Sequence, residues 1–401
     1  MAKKESRHAE LVSASQIIDA PYELPEGWKW VQLGNVADCL DGFRKPINAT
    51  ERAKREGNIP YYGATGQVGW IDDFLTDEEL VLLGEDGAPF LDLMKDKAYI
   101  ISGKAWVNNH AHILRSKYGK IGNRYLLNYL NTFNYSGYVN GTTRLKLTQG
   151  EMLKIPFPLP STINEQQRIV NRIESMFARL DEAKEKAQNV VDSFEARKAA
   201  ILHQAFTGNL TAKWRKENGV SDYSWEEKSI GDAMKLQAGK NISAGSISQV
   251  QDENNNYPCF GGNGIRGFVS SYNNEGIHPI IGRQGALCGN VNLASDKFYA
   301  TEHAVVVTCP SNISPKWAYY TLTTMNLNQY ATATAQPGLA VSNINKLTIS
   351  VPLISEQQEI VRILDTILEN ESSAKFAAEQ VLEKIDLLKK SILARAFRGE
   401  L

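Results

Sequence analysis

The tripeptide Glu165-Gln166-Gln167 opens a long segment in which apolar residues recur every three or four positions, ending at Ala205-Phe206-Thr207-Gly208-Asn209-Leu210. The same pattern begins again 191 positions later, at Glu356-Gln357-Gln358, and ends at Ala396-Phe397-Arg398-Gly399-Glu400-Leu401. A period this long is too long for a solenoid repeat and is typical of a duplicated unit. The chain is therefore predicted to contain two globular segments, each followed by a long helix.

Both periodic segments carry a heptad-like apolar seam with one polar interruption. The first seam runs from Ile169 to Ile201 and is interrupted by Arg197, and the second seam, which includes Val381 and Leu388, is interrupted by Glu371. Helices of about 40 residues reach about 60 Å. We expect them to pair as an antiparallel coiled coil, with the globular segments at opposite ends; helices buried in a larger bundle are the alternative.

Residues at the ends of both periodic segments indicate where the helices begin and end. Asn164 and Ser355 precede an acidic first turn and are predicted as N-caps. Gly208 and Gly399 follow the last apolar positions, as glycines at helix C-termini do. We therefore expect a single continuous helix in each copy.

The globular segments alternate short apolar runs with glycine-rich turns, which predicts a mixed α/β structure. Strands are expected around residues 81–83, 99–101, 277–281 and 304–308, and short helices at residues 123–130 and 315–323. The fold class is α+β, with two mixed α/β domains in tandem. The predicted bounds are an N-terminal segment at 1–21, globular domains at 22–160 and 216–353, and helical regions at 161–215 and 354–401.

One glycine motif in the second segment resembles a dinucleotide-binding fingerprint. Gly262, Gly264 and Gly267 fit the pattern GxGxxG, but a strand-like run follows them where the fingerprint requires a helix. The first copy keeps Gly63, Gly66 and Gly69 at related positions. We interpret these glycines as a hairpin turn that needs positive φ rather than as a cofactor site.

Composition excludes a simple polybasic DNA-coating protein. The net charge is −1 over 401 residues, and residues 22–160 and 216–353 are each close to neutral. DNA binding would need basic residues clustered on one face or phosphate contacts from partners.

The four cysteines show no CxxC spacing and are expected to be free. Without a membrane-length apolar run or a secretory signal, a cytoplasmic location is expected.

The sequence contains no motif that would support catalysis. Phosphate-binding loops, HExxH and GxSxG are all absent from the sequence. His110 and His112 have the spacing of two ligands on one strand face, but the second copy keeps only His303. We interpret these histidines as structural and predict a non-enzymatic chain with no metal site.

Several motifs in their duplicated order resemble the specificity subunit of type I restriction-modification enzymes. The resemblance covers residues 22–401 and rests on Leu24–Trp28 (LPEGW), Pro158–Val170 (PLPSTINEQQRIV), Ala205–Arg215 (AFTGNLTAKWR) and Pro352–Gln358 (PLISEQQ). In that family each globular segment is a target recognition domain that reads one half of a split DNA site. The long helices act as a ruler and as the docking surface for two methyltransferase subunits.

This resemblance implies a non-catalytic DNA-recognition subunit of a host-defence complex that reads a bipartite, asymmetric site in double-stranded DNA. It would position two adenine-N6 methyltransferase subunits and ATP-dependent restriction subunits. S-adenosylmethionine, ATP and Mg²⁺ would belong to those partners, leaving no cofactor in this chain. A non-enzymatic coiled-coil scaffold without DNA specificity is the alternative.

Candidate DNA-contacting residues combine hydrogen-bonding groups for base edges with cations for phosphates. Solvated surface groups are the alternative for each. The candidates are Arg44, Lys45, Tyr61, Tyr62, Thr142, Thr143, Arg144 and Lys146 in the first segment, and Arg266, Arg283, Gln284, Gln336, Ser342 and Asn343 in the second.

Apolar helix residues outside the seams are candidate partner contacts, because a two-helix pair cannot cover such wide apolar faces. Packing against the globular segments alone is the alternative. These residues are Val170, Phe177, Val191 and Phe206 in the first helix, and Val361, Leu368, Leu382 and Phe397 in the second.

Overall fold

The computed structural model describes residues 20–285, 287–331 and 337–401. The chain forms two compact units, with boundaries after Gln188 and after Ala377. Among the described residues, the first unit contains 20–188 together with Ala378–Leu401, and the second contains those between Asn189 and Ala377. Each unit therefore combines one globular segment with the start of the helix that follows it and the end of the other helix.

The first unit contains two four-stranded sheets and two smaller strand pairs. Its strands are β1 (Lys29–Gln32), β2 (Ala37–Cys39), β3 (Ile59–Gly63), β4 (Gly66–Ile71), β5 (Thr76–Asp77), β6 (Leu80–Gly84), β7 (Ala98–Ile101), β8 (Lys104–Val107), β9 (Ala111–Ser116), β10 (Val139–Asn140), β11 (Lys146–Leu147) and β12 (Pro156–Leu159). The antiparallel sheet has the order β2-β9-β6-β7, and the mixed sheet has the order β4-β3-β8-β5 with β3 and β8 parallel.

Among the described residues, the second unit repeats the two four-stranded sheets and one of the strand pairs. Its strands are β13 (Glu226–Ser229), β14 (Lys235–Ala238), β15 (Tyr257–Gly261), β16 (Gly264–Val269), β17 (Asn274–Glu275), β18 (His278–Gly282), β19 (Val291–Ala294), β20 (Lys297–Ala300), β21 (Ala304–Thr308) and β22 (Thr348–Val351). The two sheets have the orders β14-β21-β18-β19 and β16-β15-β20-β17. The bulge between Tyr61 and Tyr62 in the first unit recurs between Cys259 and Phe260.

The helices are interspersed among these strands along the chain. They are α1 (Leu33–Val36), α2 (Ala49–Arg52), α3 (Gly119–Leu130), α4 (Gln149–Lys154), α5 (Ile163–Asp192), α6 (Phe194–Phe206), α7 (Ala212–Glu217), α8 (Ile230–Ala233), α9 (Pro315–Thr324), α10 (Val341–Ile344) and α11 (Ile354–Ala396). Short 3₁₀ turns occur at Asp41–Phe43, Ala244–Ser246 and Leu327–Tyr330. The predicted α+β class and duplicated architecture are confirmed.

The predicted hairpin turns are also confirmed. β3 pairs with β4, and β15 pairs with β16, through turns in which Gly66 and Gly264 have φ of 142° and 85°. The GxGxxG match therefore lies in a β-hairpin, where positive φ favours glycine.

Helix ends close the core of each unit. In the first unit Ile169 and Ile173 of α5 and Leu393, Ala396 and Phe397 beside the end of α11 pack on the sheet and α3. In the second unit Leu202 and Ala205 of α6 and Ile360 and Leu364 of α11 do the same. Burial of these apolar side chains, at about 1.5–3 kcal/mol each, fixes the helix ends to the globular segments.

Ion pairs within each unit establish that the long helices run antiparallel. In the first unit Asp181 pairs with Lys389 at 2.5 Å and Lys184 with Asp386 at 3.5 Å. In the second unit the two polar interruptions of the seams meet, because Arg197 Nε donates to the Glu371 carboxylate at 2.8 Å. The antiparallel coiled coil is confirmed.

Three details of the predicted helices are wrong. The first helix is divided at Ser193, whose side-chain hydroxyl donates to the Asn189 carbonyl. α5 begins before Asn164, and Thr162 Oγ1 instead accepts from the Glu165 N–H at 3.2 Å. α11 begins at Ile354, so Ser355 lies inside its first turn.

The second seam is also narrower than its sequence indicates. Val381 and Leu388 remain 41% and 48% exposed, whereas Ala378 and Ile385 are buried. Val381 and Leu388 are therefore not seam residues in the first unit. Among the described residues, no helix is both long and apolar enough to span a membrane.

Candidate nucleic-acid interface

The residues that follow β6 are held by backbone hydrogen bonds to two neighbouring segments. The Glu85 N–H donates to the His110 carbonyl at 2.8 Å, and the Glu85 carbonyl accepts from the Leu147 N–H at 2.7 Å. The Gly87 N–H donates to the Leu145 carbonyl at 3.1 Å. We call residues 85–87, 110–112 and 144–147 the first strand-end site.

The second unit makes the same three bonds after β18. The Arg283 N–H donates to the His303 carbonyl at 2.9 Å, and the Arg283 carbonyl accepts from the Leu339 N–H at 2.9 Å. The Gly285 N–H donates to the Pro337 carbonyl at 3.0 Å. Residues 283–285, 303–305 and 337–339 therefore form the second strand-end site, with the same backbone framework.

Glycine is required where the strand enters each site. A Cβ atom at Gly84 would lie 2.4 Å from the Ala88 Cβ, and one at Gly282 would lie 1.9 Å from the Gly262 carbonyl oxygen. Both distances are too short for a real side chain. This explains why the sequence keeps a glycine at both positions while the following residues differ.

A buried polar network connects residues of the first strand-end site to Asp41 and Arg44. His112 lies with Nδ1 2.6 Å from the Asp41 carboxylate and Nε2 2.9 Å from the Leu147 carbonyl, so both ring nitrogens face acceptors. Burial alone would raise the pKa of Asp41. The hydrogen bonds from His112 and Ile113 and the charge of Arg44 outweigh it, so the pKa lies below its ordinary value.

Glu85 forms ion pairs with two cations in the same network. Its carboxylate pairs with Arg44 on one side and with Lys146 Nζ, at 3.0 Å, on the other. Burial would raise the pKa of Glu85, but the hydrogen bonds from Arg44 and Lys146 hold it below its ordinary value. Arg44 also contacts Asp41 at 3.0 Å. Both cations are thus fixed by acids before any ligand binds.

Asp86 forms a second, more exposed group in the first strand-end site. Its Oδ1 accepts from Arg144 Nη2 at 2.8 Å and lies 2.7 Å from His110 Nδ1. An ionised carboxylate can only accept, so His110 donates through Nδ1. Arg144 keeps 60% of its side-chain surface exposed, against 21% for Asp86. The guanidinium therefore lies on the outside of the cluster.

The second strand-end site carries a cation where the first carries the acid Glu85. Arg283 occupies the place of Glu85, and Gly338 the place of Lys146. By strand register, Ala238 and Val305 face each other where Asp41 and His112 meet in the first unit. Within the described residues no carboxylate pairs with Arg283, and its buried Nε has no hydrogen-bond partner.

An open cavity of about 570 Å³ lies against the second strand-end site. Its lining combines the β15–β16 hairpin with residues that follow β18 and precede β21. The polar side chains that line it are Asn263, Arg266, Gln284 and His303. Amide, guanidinium and imidazole groups are the donors and acceptors that recognise base edges in DNA.

The structure brings several predicted DNA-contacting residues together. Arg44, Arg144 and Lys146 meet at the first strand-end site, and Arg283 and Gln284 belong to the second. Thr142 and Thr143 are exposed in the turn between β10 and β11, and Lys45 is exposed beside Trp106. Among the other candidates, Arg266 and Ser342 are exposed, Tyr62 and Asn343 are half-buried, and Gln336 lies outside the described residues.

The prediction that Tyr61 contacts DNA is wrong. Its side chain is only 1% exposed, and its hydroxyl lies 3.2 Å from the backbone of Ile47 within a core cluster with Ile71 and Trp106. Tyr61 therefore stabilises the mixed sheet and cannot contact DNA directly. Tyr62 packs with Tyr99, at 5.9 Å between ring centroids.

Sequence reasoning missed the acids of the first strand-end site. Glu85 and Asp86 follow a glycine that recurs in both copies, yet acids argue against DNA contact when each residue is considered alone. Their substitution by Arg283 and Gln284 in the second copy was the available signal. It becomes meaningful only when backbone pairing aligns the two copies.

One group in the described residues has the spacing of a metal site, formed by Cys39, Asp41 and His112. His112 already uses both ring nitrogens, and Asp41 is bonded to His112, Arg44 and the Ile113 N–H. Burial raises the pKa of Cys39 to about 11, which favours the thiol over a metal-binding thiolate. We interpret the group as part of the buried network.

The predicted partner-contacting residues divide into buried and half-buried groups. Val170 and Phe397 are fully buried in the first unit, where Phe397 packs edge-on against Tyr125 and Tyr129. These two residues cannot contact another chain, which corrects the prediction. The half-buried ones are Phe177, Val191, Phe206, Val361, Leu368 and Leu382.

Other apolar residues of α11 are more exposed than those predicted. Phe376 and Leu387 are 64% and 58% exposed, and Leu388 and Val381 also face solvent. The sequence pattern assigned Val381 and Leu388 to the seam, because periodicity alone does not show which face of each helix is buried. Exposed apolar side chains of this size indicate surface that another protein can cover.

Comparisons with known proteins agree with this architecture. The model of the type I restriction modification DNA specificity domain matches residues 25–192 and 223–384. The specificity subunit of the Escherichia coli type I restriction enzyme EcoprrI is 53% identical over 140 residues, which cover 35% of this chain and 35% of that relative. The EcoDI specificity subunit, also from Escherichia coli, is 22% identical over 94% of this chain and 90% of its own length.

A solved structure shares the fold over nearly the whole length. The crystal structure of the HsdS subunit from Thermoanaerobacter tengcongensis has a TM-score of 0.67 at 17% identity, covering 96% of this chain and all of that one. At this identity the likeness concerns the fold alone. Because the family model matches most of the sequence, in two copies, the chain belongs to the type I restriction-modification DNA specificity family.

Proposed function

We propose that this chain is the non-catalytic DNA-reading subunit of a type I restriction-modification complex, and that its two units read different halves of a bipartite, asymmetric site. One observation carries the proposal. The same backbone framework presents acid-paired cations in the first unit and Arg283 with Gln284 in the second. Two sites with one framework and different side chains are suited to reading different base sequences.

We assign the recognition domains to residues 22–160 and 216–353, and the helical regions to 161–215 and 354–401. Base contacts belong to Arg144 in the first unit and to Arg283 and Gln284 in the second. Lys45 follows Arg44, Thr142 and Thr143 precede Arg144, and Arg266 lines the cavity at the second strand-end site. Their exposed side chains are suited to phosphate contacts. Arg44 and Lys146 hold the first strand-end site together through Glu85.

The proposed partners are two adenine-N6 methyltransferase subunits and ATP-dependent restriction subunits. S-adenosylmethionine, ATP and Mg²⁺ would be bound by them. Two copies are expected because each unit presents one helix start and one helix end in the same arrangement. The recognition domains are close to neutral, so the partners would supply much of the phosphate contact that gives affinity.

Co-expression with the cognate type I methyltransferase subunit tests the function. The complex should have the mass of one chain with two methyltransferases, and methylation mapping should give a split, asymmetric site. An intact complex that methylates without sequence preference would favour the coiled-coil scaffold instead. A contiguous site without an unread spacer would contradict the proposal of two separate half-sites.

A further inference from the structure

Arg144 is held in one orientation by three independent features of the first strand-end site. Its Nη2 donates to Asp86 Oδ1 at 2.8 Å. Its guanidinium lies over Gly87, where a Cβ would stand 3.2 Å from Arg144 Nε. Its backbone lies in a turn closed by Gly141, whose φ of 106° favours glycine. The contacts therefore favour one orientation of a side chain that is otherwise 60% exposed.

Asp86 is itself fixed from the other side. Its Oδ1 also accepts from His110 Nδ1 at 2.7 Å, and the His110 N–H donates to Asn108 Oδ1 at 2.8 Å. The Asp86 backbone pairs with Lys146 in an antiparallel bridge. Both the acid and the hairpin that carries Arg144 are thus attached to the same strand end.

The remaining edge of Arg144 is free to bind a ligand. Among the described residues, only Asp86 and His110 lie within hydrogen-bonding distance of its guanidinium, both through Nη2. A guanidinium held at one nitrogen can still offer a second pair of N–H groups. Such a pair matches O6 and N7 of guanine in the major groove.

An acid at this place has a cost that a phosphate-binding surface would avoid. Asp86 repels the DNA backbone, and Arg144 paired to it contributes less net charge to non-specific attraction. An acid at this position is favourable where the orientation of Arg144 matters more than its attraction to phosphate. The corresponding residue of the second unit, Gln284, is neutral.

We propose that Asp86 is a positioning residue that orients Arg144 to read one guanine of the first half-site, at the expense of non-specific affinity. The inference rests on the proposed function and adds a specificity-determining residue to it. Asp86 acts through Arg144 rather than by touching the base. Its removal therefore has opposite effects on specific and non-specific binding.

The test uses the complete complex with its methyltransferase subunits and the site obtained by methylation mapping. Binding is measured to that duplex, to duplexes with each base pair of one half-site replaced, and to a scrambled duplex. Asp86→Ala should lower the preference for one G·C pair by about tenfold while raising affinity for the scrambled duplex. Arg144→Ala should lose the preference at the same pair, and the double variant should lose no more.

Three controls separate the possible explanations. Asp86→Asn keeps the shape and a weaker acceptor and should have an intermediate effect. Glu78→Ala removes an acid from an exposed pair with Arg115 in the same unit and should leave discrimination unchanged. Gln284→Ala should leave the preferences of the first half-site intact.

Equal loss of specific and non-specific affinity in Asp86→Ala would reduce Asp86 to a structural residue and overturn the proposal. Additive losses in the double variant would also overturn it, because Asp86 would then act independently of Arg144. If the wild-type complex discriminates and Asp86→Ala discriminates equally well, only this inference fails. If the wild-type complex itself ignores the mapped site, the proposed function fails.

Discussion

At the scale of single residues, the two units carry opposite charges at the position after the strand-end glycine. Glu85 lies between Arg44 and Lys146 in a network that also contains Asp41 and His112. Arg283 occupies the equivalent backbone position in the second unit and has no acidic partner among the described residues. The first site is therefore stabilised by ion pairs within the protein, whereas the second carries a cation available for a ligand.

Ion pairing makes the first unit sensitive to acid. The pKa of Glu85 is lowered in the folded chain, so the stability that its charge contributes is complete above the ordinary value of 4.5. That stability is lost as pH falls below 4.5 and through the lower folded pKa. Asp41, whose pKa is also lowered, acts in the same direction.

Glu85→Gln should therefore weaken the first unit at pH 7 and reduce its loss of stability between about pH 5 and pH 3. Amide hydrogen exchange of β6 and β9 at several pH values measures this. Glu174→Gln, which removes an exposed partner of Arg124, is the matched control and should change little. An unchanged pH dependence in Glu85→Gln would show that Glu85 does not contribute to acid sensitivity.

At the scale of elements, the helix pair contains a polar contact that fixes its register. Arg197 and Glu371 interrupt otherwise apolar seams and bond to each other at 2.8 Å, with side chains 34% and 25% exposed. Arg197 also donates to the Ser193 hydroxyl and to the Val190 carbonyl. A polar pair inside a seam favours one alignment of the helices over shifted ones.

Arg197→Ala should destabilise α6 locally by about 1 kcal/mol, because it leaves the Glu371 carboxylate half-buried without its partner. A double-mutant cycle with Glu371→Ala should give a coupling of about 0.5–1 kcal/mol, measured by amide exchange in α6. The double Arg197→Leu, Glu371→Leu variant should be close to neutral because it completes the apolar seam.

Lys184 and Asp386 provide the matched comparison. They join α5 to α11 at 3.5 Å, whereas Arg197 and Glu371 join α6 to α11, and they are 48% and 63% exposed. Their coupling should therefore be near zero. Equal coupling in both pairs would mean that burial in the seam has no special effect. A large gain in stability on removing Arg197 would contradict its role in setting register.

Much of each element could be predicted from sequence. The duplicated apolar period identified the long helices, and recurring glycines identified the β3–β4 and β15–β16 hairpins. The break at Ser193 could not be predicted, because it depends on a local side-chain hydrogen bond that competes with the helical pattern. Thr162 lies three residues before Glu165, the spacing of a capping box, so the start of α5 could have been predicted. Phe397 was misassigned because periodicity does not reveal that Tyr125 and Tyr129 cover it.

At the scale of the whole molecule, the duplication explains how one chain carries two strand-end sites with the same backbone framework. Each unit closes its core with the start of one helix and the end of the other. Phe397 against Tyr125 in the first unit corresponds to Phe206 near Trp317 in the second. The candidate sites could be located only in part from sequence, since Glu85, Asp86 and His110 gain meaning from backbone pairing.

The central claim is that the two strand-end sites read different halves of one DNA target. Methylation mapping of complexes containing wild-type chain, Arg144→Ala or Arg283→Ala tests it most directly. Arg144→Ala should relax one or more positions of one half-site only, and Arg283→Ala should relax positions of the other half-site only. Both variants relaxing the same half-site, or either one relaxing both halves equally, would contradict the account.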